Sequence, residues 1–369
     1  MASKQQHYNL DNIDKLDANF NIIYGEKSNG KSYQVKHKKA VKKYLNTGRR
    51  FILLRRWKED ISNAWIEQYF SDVDVASLTD NKYNCISCYR KTLYLATIDE
   101  NNKVKRGEKI GYVMALSTEQ HYSGASYLDV DDIIFEEFME RGVYIARESD
   151  KLMTFYSTVD RKRGTTKLWM VGNTISRVCP YMYDWDLQHI VRKQKQGDID
   201  TIIIHNEEND VKIAIEYCKA SGGKTMTIGN ASKMIDKGAW QTHPQPHLPK
   251  SRKCYKMLFR FCFQYQNFRF ICEYLVDKED RNKTCWFIYP KYTDIREKTL
   301  VFSDVVNIDK YWQRDIYNLT IKNDNLKNLL ATFRQGNIFY SDDLCGTDFK
   351  QVIDFEIRRW RKWQILKVK

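Results

Sequence analysis

The chain has 369 residues, of which 42% are hydrophobic, 14% aromatic and 29% charged, a globular composition with room for two domains. Five prolines and sixteen glycines exclude a collagen-like or low-complexity chain. The net charge of +14 points to a polyanionic partner, most simply nucleic acid; no apolar run approaches the ~18 residues of a membrane span, and the polar start Met1–His7 has no signal-peptide core, so a cytosolic protein without a membrane partner is expected.

The first element is the apolar run Phe20–Tyr24, read as a buried strand. It leads into Gly25-Glu26-Lys27-Ser28-Asn29-Gly30-Lys31-Ser32, which spells G-x-x-x-x-G-K-[ST]. Tyr33–Asn46 follows as a helix, closed by Thr47-Gly48. Strand, glycine loop and helix in that order are the context that a phosphate-binding loop requires. The two glycines let backbone N–H groups turn inward onto phosphate oxygens at a helix N-terminus. Lys31 would reach the β- and γ-phosphates and the Ser32 hydroxyl would hold Mg²⁺, so ATP and Mg²⁺ are the expected cofactors.

From Lys27 to Lys58 there are twelve Lys or Arg and no Asp or Glu. Lys36, Lys38, Lys39, Lys42 and Lys43 read as a solvated helix face. Arg50–Arg56 is an apolar strand ending in two arginines, and Ile61–Phe70 is helical in period. Tyr83–Ile98 and Lys109–Ala115 read as a small set of strands around a polar turn, Asp99–Gly107. The nine cysteines are odd in number and scattered, which gives no disulfide framework. Cys85 and Cys88 form a lone C-x-x-C, expected to decorate a strand and not to hold zinc.

Nucleotide turnover needs a second strand ending in carboxylates, and Asp132–Phe135 runs into Glu136-Glu137. Glu136 falls where the metal is held and Glu137 where a general base would polarise water. The usual residue at the metal position is Asp. The extra methylene of Glu136 leaves the geometry looser, or the role shared with Asp132. After the helix Asp150–Val159 comes the turn Thr158–Gly164, from which Arg161 or Arg163 could project into a neighbouring subunit's site. Lys167–Asn173 is a strand ending in Asn173, either a γ-phosphate sensor or an ordinary Asn in a helix-start turn. Thr201–His205 is one more strand. Apolar strands separated by helices imply an α/β domain over 1–217, with a parallel sheet covered on both faces.

Three of the five prolines fall in Thr242–Pro249, and residues 218–252 read as a linker. Beyond it, Tyr255–Gln264, Phe268–Leu275 and Cys285–Tyr289 read as an antiparallel meander. Asn323–Gln335 and Asp348–Lys362 read as helices, so 253–369 is expected to be an α+β domain.

In this order the motifs resemble those of the DNA-packaging ATPases of short-tailed phages with protein-primed genomes, the Picovirinae type, compact relatives of terminase large subunits. The P-loop Gly25–Ser32 and the strand Phe51–Lys58 carry the resemblance together with Ile133–Phe138. The most specific piece is Thr158-Val159-Asp160-Arg161-Lys162-Arg163 leading into the strand that ends Gly172-Asn173. The resemblance implies an ATPase of the additional-strand, catalytic-glutamate (ASCE) P-loop class, followed by a vestigial nuclease domain of the ribonuclease-H-like type. It implies a homopentameric ring docked on the portal protein of a procapsid in the host cytoplasm, driving double-stranded DNA inward. In some relatives a structural packaging RNA bridges ring and portal. By motif position Lys31 and Ser32 serve phosphate and Mg²⁺, Glu137 is the catalytic glutamate, Asn173 the sensor and Arg161 the arginine finger supplied in trans. Arg55 receives no firm role.

Nuclease activity is expected to be absent. The first strand of the C-terminal meander, Met257–Phe263, carries no acid and does carry Arg260, whereas two-metal nucleases need several convergent carboxylates. Glu273 and Asp342-Asp343 are the nearest candidates. DNA contacts are expected from Arg141, Arg147 and Lys151 after the catalytic glutamate and from Arg260, made to phosphates and not to bases. Two further readings are a P-loop kinase acting on a small molecule and a binding module whose degenerate ATPase gates assembly.

Overall fold

The computed structural model describes residues 7–140, 144–205, 209–222, 230–266, 268–293, 295, 299–303, 313–315, 332 and 336–353. They form two compact units, one of residues 1–176 with 190–240 and one of 177–189 with 241–369.

The first unit is built on a nine-stranded sheet. Its strands are β1 (Phe20–Gly25), β2 (Arg50–Arg55), β3 (Cys85–Tyr89), β4 (Thr92–Ile98), β5 (Val104–Ala115), β6 (Val130–Glu136), β7 (Lys167–Asn173), β8 (Ile199–His205) and β9 (Asp210–Tyr217). They lie in the order β3-β4-β5-β2-β6-β7-β1-β9-β8. The six central strands from β5 to β9 are parallel. All six residues of β1 are buried, as expected of a strand covered on both faces. Alternation along β6 explains how. Ile134 joins the cluster that holds Val35, Ala40 and Val41 of the P-loop helix. Ile133 and Phe135 point the other way and are also buried, with the helix Glu148–Asp160 packed against β6.

The sheet departs from an all-parallel one at both ends. β3 and β4 are antiparallel, as are β4 and β5, and β8 runs antiparallel to β9. β8 alternates between exposed and half-buried positions, the pattern of a strand at the sheet's edge. The strand read at Thr201–His205 is therefore an antiparallel edge strand, and the parallel neighbour of β1 is β9, to which the sequence reading gave no element. The turn read as Asp99–Gly107 is shorter, because Val104–Gly107 already pair within β5.

The second unit holds β10 (Tyr255–Tyr265), β11 (Phe268–Asp277), β12 (Thr284–Pro290), β13 (Val301–Ser303), β14 (Gln313–Asp315) and β15 (Ile338–Tyr340). The first three form the antiparallel meander that the aromatic-rich runs suggested. β13 lies parallel to β10, β14 parallel to β13, and β15 parallel to β12. A helix over 343–353 buries Phe349 and Val352 in the same aromatic core as Phe261, Phe270 and Trp286. The remainder of the helix expected to Lys362, and all of Asn323–Gln335 except residue 332, lie outside the described residues.

The unit boundaries differ from the sequence reading of 1–217, 218–252 and 253–369. Residues 218–240 continue the first unit: Trp240 packs on Tyr24 and Tyr217, and Ser221 donates to the Glu26 carboxylate. Residues 177–189 belong to the second. Arg177 pairs with Asp348 at 2.5 Å, Val178 enters the aromatic core and Tyr183 meets Tyr265 edge-on.

Candidate nucleotide site

The parallel strands deliver their C-terminal ends to one edge of the first sheet. There β1 runs into the P-loop, β2 ends at Arg55, β6 at Glu136 and β7 at Asn173. Gly30 has φ +96°, a conformation that L side chains rarely adopt, at the start of the helix Lys31–Val35. Gly25 is needed for a different reason. A Cβ there would stand 3.0 Å from that of Cys218, which continues β9 past its end. Lys31 is buried, and its ammonium group donates to the Glu26 carbonyl, to Asn29 Oδ1 at 3.1 Å and to Asn173 Oδ1 at 3.4 Å. Burial pulls its pKa down, opposed by nearby Glu136 and Glu26. Glu26 itself turns away from the loop's mouth to bind Ser221, while Lys27 and Ser28 are exposed.

Ser32 Oγ donates to Glu136 Oε2 at 2.9 Å, across 104 residues of chain. Burial raises the Glu136 pKa, and the hydrogen bonds from Tyr69 and Ser32 oppose that rise. The pairing of a serine hydroxyl with a buried carboxylate is an all-oxygen donor set of the kind that suits Mg²⁺. Asp132 takes no part. It sits four residues earlier on β6, roughly 13 Å along the strand, where Lys43 and Trp169 Nε1 bind it. The shared role left open for it is therefore excluded.

Glu137 follows the strand end at φ +56°, and its carboxylate pairs with Arg55 at 2.8 Å. Arg55 lies over the Trp65 ring at 4.7 Å. Its Nε is buried with no hydrogen-bond partner among the described residues, an unmet donor beside the P-loop edge that fits an anionic ligand. Arg56, next along, braces the chain after Glu137. It donates to the carbonyls of Glu137 at 3.2 Å and Phe138 at 2.6 Å, and its Nε pairs with both oxygens of Glu148 at 2.9–3.0 Å.

Arg161 and Arg163 lie at the other edge of the sheet, in the turn that enters β7. That strand's seven residues put them roughly 20 Å from the Asn173 end. Arg163 is spent on the backbone oxygens of Leu128, Val130 and Asp160 and on Thr166. Arg161 is exposed, with a 2.8 Å hydrogen bond to the Ala125 carbonyl.

A short N-terminal segment is tied to the P-loop. Tyr8 N donates to the Asn29 carbonyl at 2.9 Å, and Tyr8 Oη donates to Glu216 at 2.6 Å. Burial pushes the Glu216 carboxyl from its ordinary 4.5 up to about 7. The folded chain therefore holds this proton more tightly than the unfolded chain does. The group's contribution to stability is full below about pH 4.5 and is lost as pH rises to about 7. Stability should fall through this group by about 3 kcal/mol across that window. Glu216→Gln should flatten that part of a thermal-midpoint profile, and an unaltered slope would contradict the assignment.

The family model described as Podovirus DNA encapsidation protein (Gp16) matches residues 2–359. The chain belongs to this family. The DNA packaging proteins of Bacillus phages PZA and phi29 are 26% identical over 203 residues, 54% of this chain and 56% of theirs. The match thus spans about half the length of these curated relatives. A chain of the bacteriophage phi29 viral genome packaging motor assembly superposes with a TM-score of 0.57 at 20% identity, covering 96% of this chain and 99% of that one. At that identity the likeness speaks for the fold.

For a Gp16-family chain, the residues proposed to touch DNA are unevenly disposed. Arg147 is exposed and pairs with Asp150, while Lys151 is bound to Glu119 at 2.7 Å, so its charge is already matched. Arg260 is exposed on β10, in register with Glu273 of β11. Arg141 lies outside the described residues. Of the five lysines read as a solvated helix face, Lys42 is exposed, whereas Lys36, Lys38, Lys39 and Lys43 pair with Asp72, Asp11, Asp14 and Asp132. Sequence reasoning noticed the Arg55-Arg56 pair without a role and missed Tyr69, which donates to Glu136. The arginines had a signal in ending an apolar strand. Tyr69 had none, because its partner is 67 residues away.

Proposed function

We propose that the chain is an ATP-driven motor that translocates double-stranded DNA into a procapsid as a homomeric ring on the portal. The observation that carries this is the Ser32–Glu136 contact at 2.9 Å, with Lys31 and Asn173 beside it. It joins the P-loop to the second acidic strand in the manner of a hydrolysing site. Ser32 and Glu136 would hold Mg²⁺, which when bound neutralises charge on the β- and γ-phosphates. Lys31 would exchange its loop acceptors for phosphate oxygens. Glu137, once parted from Arg55, would accept the proton of the attacking water. Asn173, already at Lys31, would orient groups at the γ-phosphate.

Arg161 lies too far from its own P-loop to serve it, so the finger reading assigns it to the next subunit. Family membership supports the DNA cargo, and the resemblance carries the portal and the finer statements. These are a homopentameric ring in the host cytoplasm, transiently docked on the procapsid, with a structural packaging RNA as a further partner. The second unit supports a ribonuclease-H-like assignment through the stretch β12-β11-β10-β13-β14 of its sheet, an antiparallel trio continued by two parallel strands, with β15 added beside β12. Loss of nuclease chemistry is supported by Glu273, which accepts from Arg252 at 2.7 Å.

A DNA-contacting surface is supported on the β3–β5 ribbon. Arg90, Lys91, Lys103, Lys105 and Arg106 are exposed and have no ion pair among the described residues. Phosphate contacts there should make DNA binding fall steeply with salt. Replacing Lys105 and Arg106 by alanine should lower the log–log salt slope by about 2, and an unchanged slope would remove this surface from the account. Stimulation of ATP hydrolysis by duplex DNA separates the motor from a small-molecule kinase and from a nucleotide-gated binding module.

A further inference from the structure

Glu136 stands where the shorter Asp is usual, and both of its carboxylate oxygens are engaged. Oε2 accepts from Ser32 at 2.9 Å, and Oε1 accepts from the Tyr69 hydroxyl at 2.7 Å. A glutamate has one more rotatable bond than an aspartate, so a single hydrogen bond fixes its carboxylate less well. Tyr69 supplies the second anchor, and it is itself immobilised. Its ring stacks on Trp65 with centroids 5.2 Å apart and meets Phe70 edge-on at 4.9 Å. Lys36 Nζ lies 4.5 Å from the ring's centre, donates to the Tyr69 carbonyl and pairs with Asp72 at 2.5 Å.

The same helix, Asn63–Phe70, reaches the second acid through an arginine. Trp65 carries Arg55 on its face, and Arg55 holds Glu137. One short helix therefore braces the carboxylate of Glu136 directly and that of Glu137 through one arginine.

We propose that Tyr69 is the positioning residue that makes a glutamate serviceable at the metal position, by pinning Oε1 so that Oε2 faces Ser32. This rests on the reading of the site as one for Mg²⁺-nucleotide. Tyr69 touches neither nucleotide nor metal in this scheme and acts only through Glu136. Its effect therefore belongs to metal affinity and not to nucleotide binding without metal.

The test uses the full-length chain, with Mn²⁺ as a spin probe and ATPγS as nucleotide. Mn²⁺ affinity of the nucleotide complex is read by paramagnetic resonance, and ATPγS affinity is read separately in EDTA. Tyr69→Phe keeps the ring and its stack. It should weaken Mn²⁺ binding by about 10–100-fold, the usual cost of losing a partner that orients a metal ligand, and leave the EDTA affinity unchanged. Glu136→Asp shortens the side chain by ~1.5 Å, which takes the carboxylate out of Tyr69's reach. In that background Tyr69→Phe should change Mn²⁺ affinity by less than about twofold, because the coupling between the pair is gone.

Unchanged Mn²⁺ affinity in Tyr69→Phe would overturn the proposal. So would an equal loss in EDTA, which marks a merely structural tyrosine, or an equal cost in the Glu136→Asp background. A wild-type chain that binds no Mn²⁺-nucleotide would instead overturn the site reading and the proposal together.

Discussion

Arg161→Ala is expected to lower DNA-stimulated ATP hydrolysis by about 10³–10⁵-fold, the range found for arginine fingers that stabilise phosphoryl-transfer charge. Nucleotide binding should be kept, since Arg161 lies at the far edge of its own sheet. Its exposed position and its bond to the Ala125 carbonyl make the substitution mild for the fold. Arg163→Ala should behave differently. It strips ligands from the backbone oxygens of Leu128 and Val130 and should lower thermal stability first. The sharing of the site is read from mixtures. Arg161→Ala subunits keep an intact P-loop and Glu137, whereas Glu137→Gln subunits keep Arg161. Hydrolysis restored in a mixed ring supports a trans finger, and silence at every mixing ratio counts against it.

Arg56→Ala should be the most destabilising single change near the site, by about 3–5 kcal/mol. The Arg56 side chain is 2% exposed and that of Glu148 is 0% exposed, so truncation strands a buried carboxylate. It also releases the carbonyls of Glu137 and Phe138. Denaturant titration should therefore give a lower midpoint, and hydrolysis should fall with it because the chain after Glu137 loses its brace. Lysine should not rescue. One ammonium cannot serve Glu148, Glu140 and two carbonyls in the way that a planar guanidinium does. In the double variant Arg56→Ala/Glu148→Ala the loss should be smaller than the sum of the singles. Additive losses would mean that the pair does not act as a unit.

Much of the ATPase-like unit was legible because its central strands are buried on both faces. Phe20–Tyr24, Arg50–Arg56 and Lys167–Asn173 read as apolar runs, and the P-loop fixed their common edge. β9 escaped because Asp210-Val211-Lys212 opens it with charge, and only pairing with β1, about 190 residues earlier in the chain, makes it a central strand. The excursion 177–189 escaped because nothing local distinguishes a loop from a segment that enters another core. Charge was legible as a sum and illegible as pairs. Lys36, Lys38, Lys39 and Lys43 of the P-loop helix looked solvated, yet their carboxylates come from Asp72, Asp11, Asp14 and Asp132, scattered over residues 11–132. At the site, motif order was enough to name Lys31, Ser32, Glu136, Glu137 and Asn173, and the structure brings Lys31 to Asn173 and Ser32 to Glu136. Spacing could not say what holds those carboxylates. Tyr69, Arg55 and Arg56 do so from other strands and helices.

A motor built on this site converts ATP hydrolysis into movement of duplex DNA. It is tested most directly by incubating the purified chain with portal-bearing procapsids, genome-length duplex DNA, Mg²⁺ and ATP, and then measuring DNA protected from added nuclease. Protection is expected to require ATP, to disappear with Glu137→Gln, and to be accompanied by hydrolysis that rises when DNA is present. ATP turnover indifferent to DNA, with no DNA protected, would contradict it.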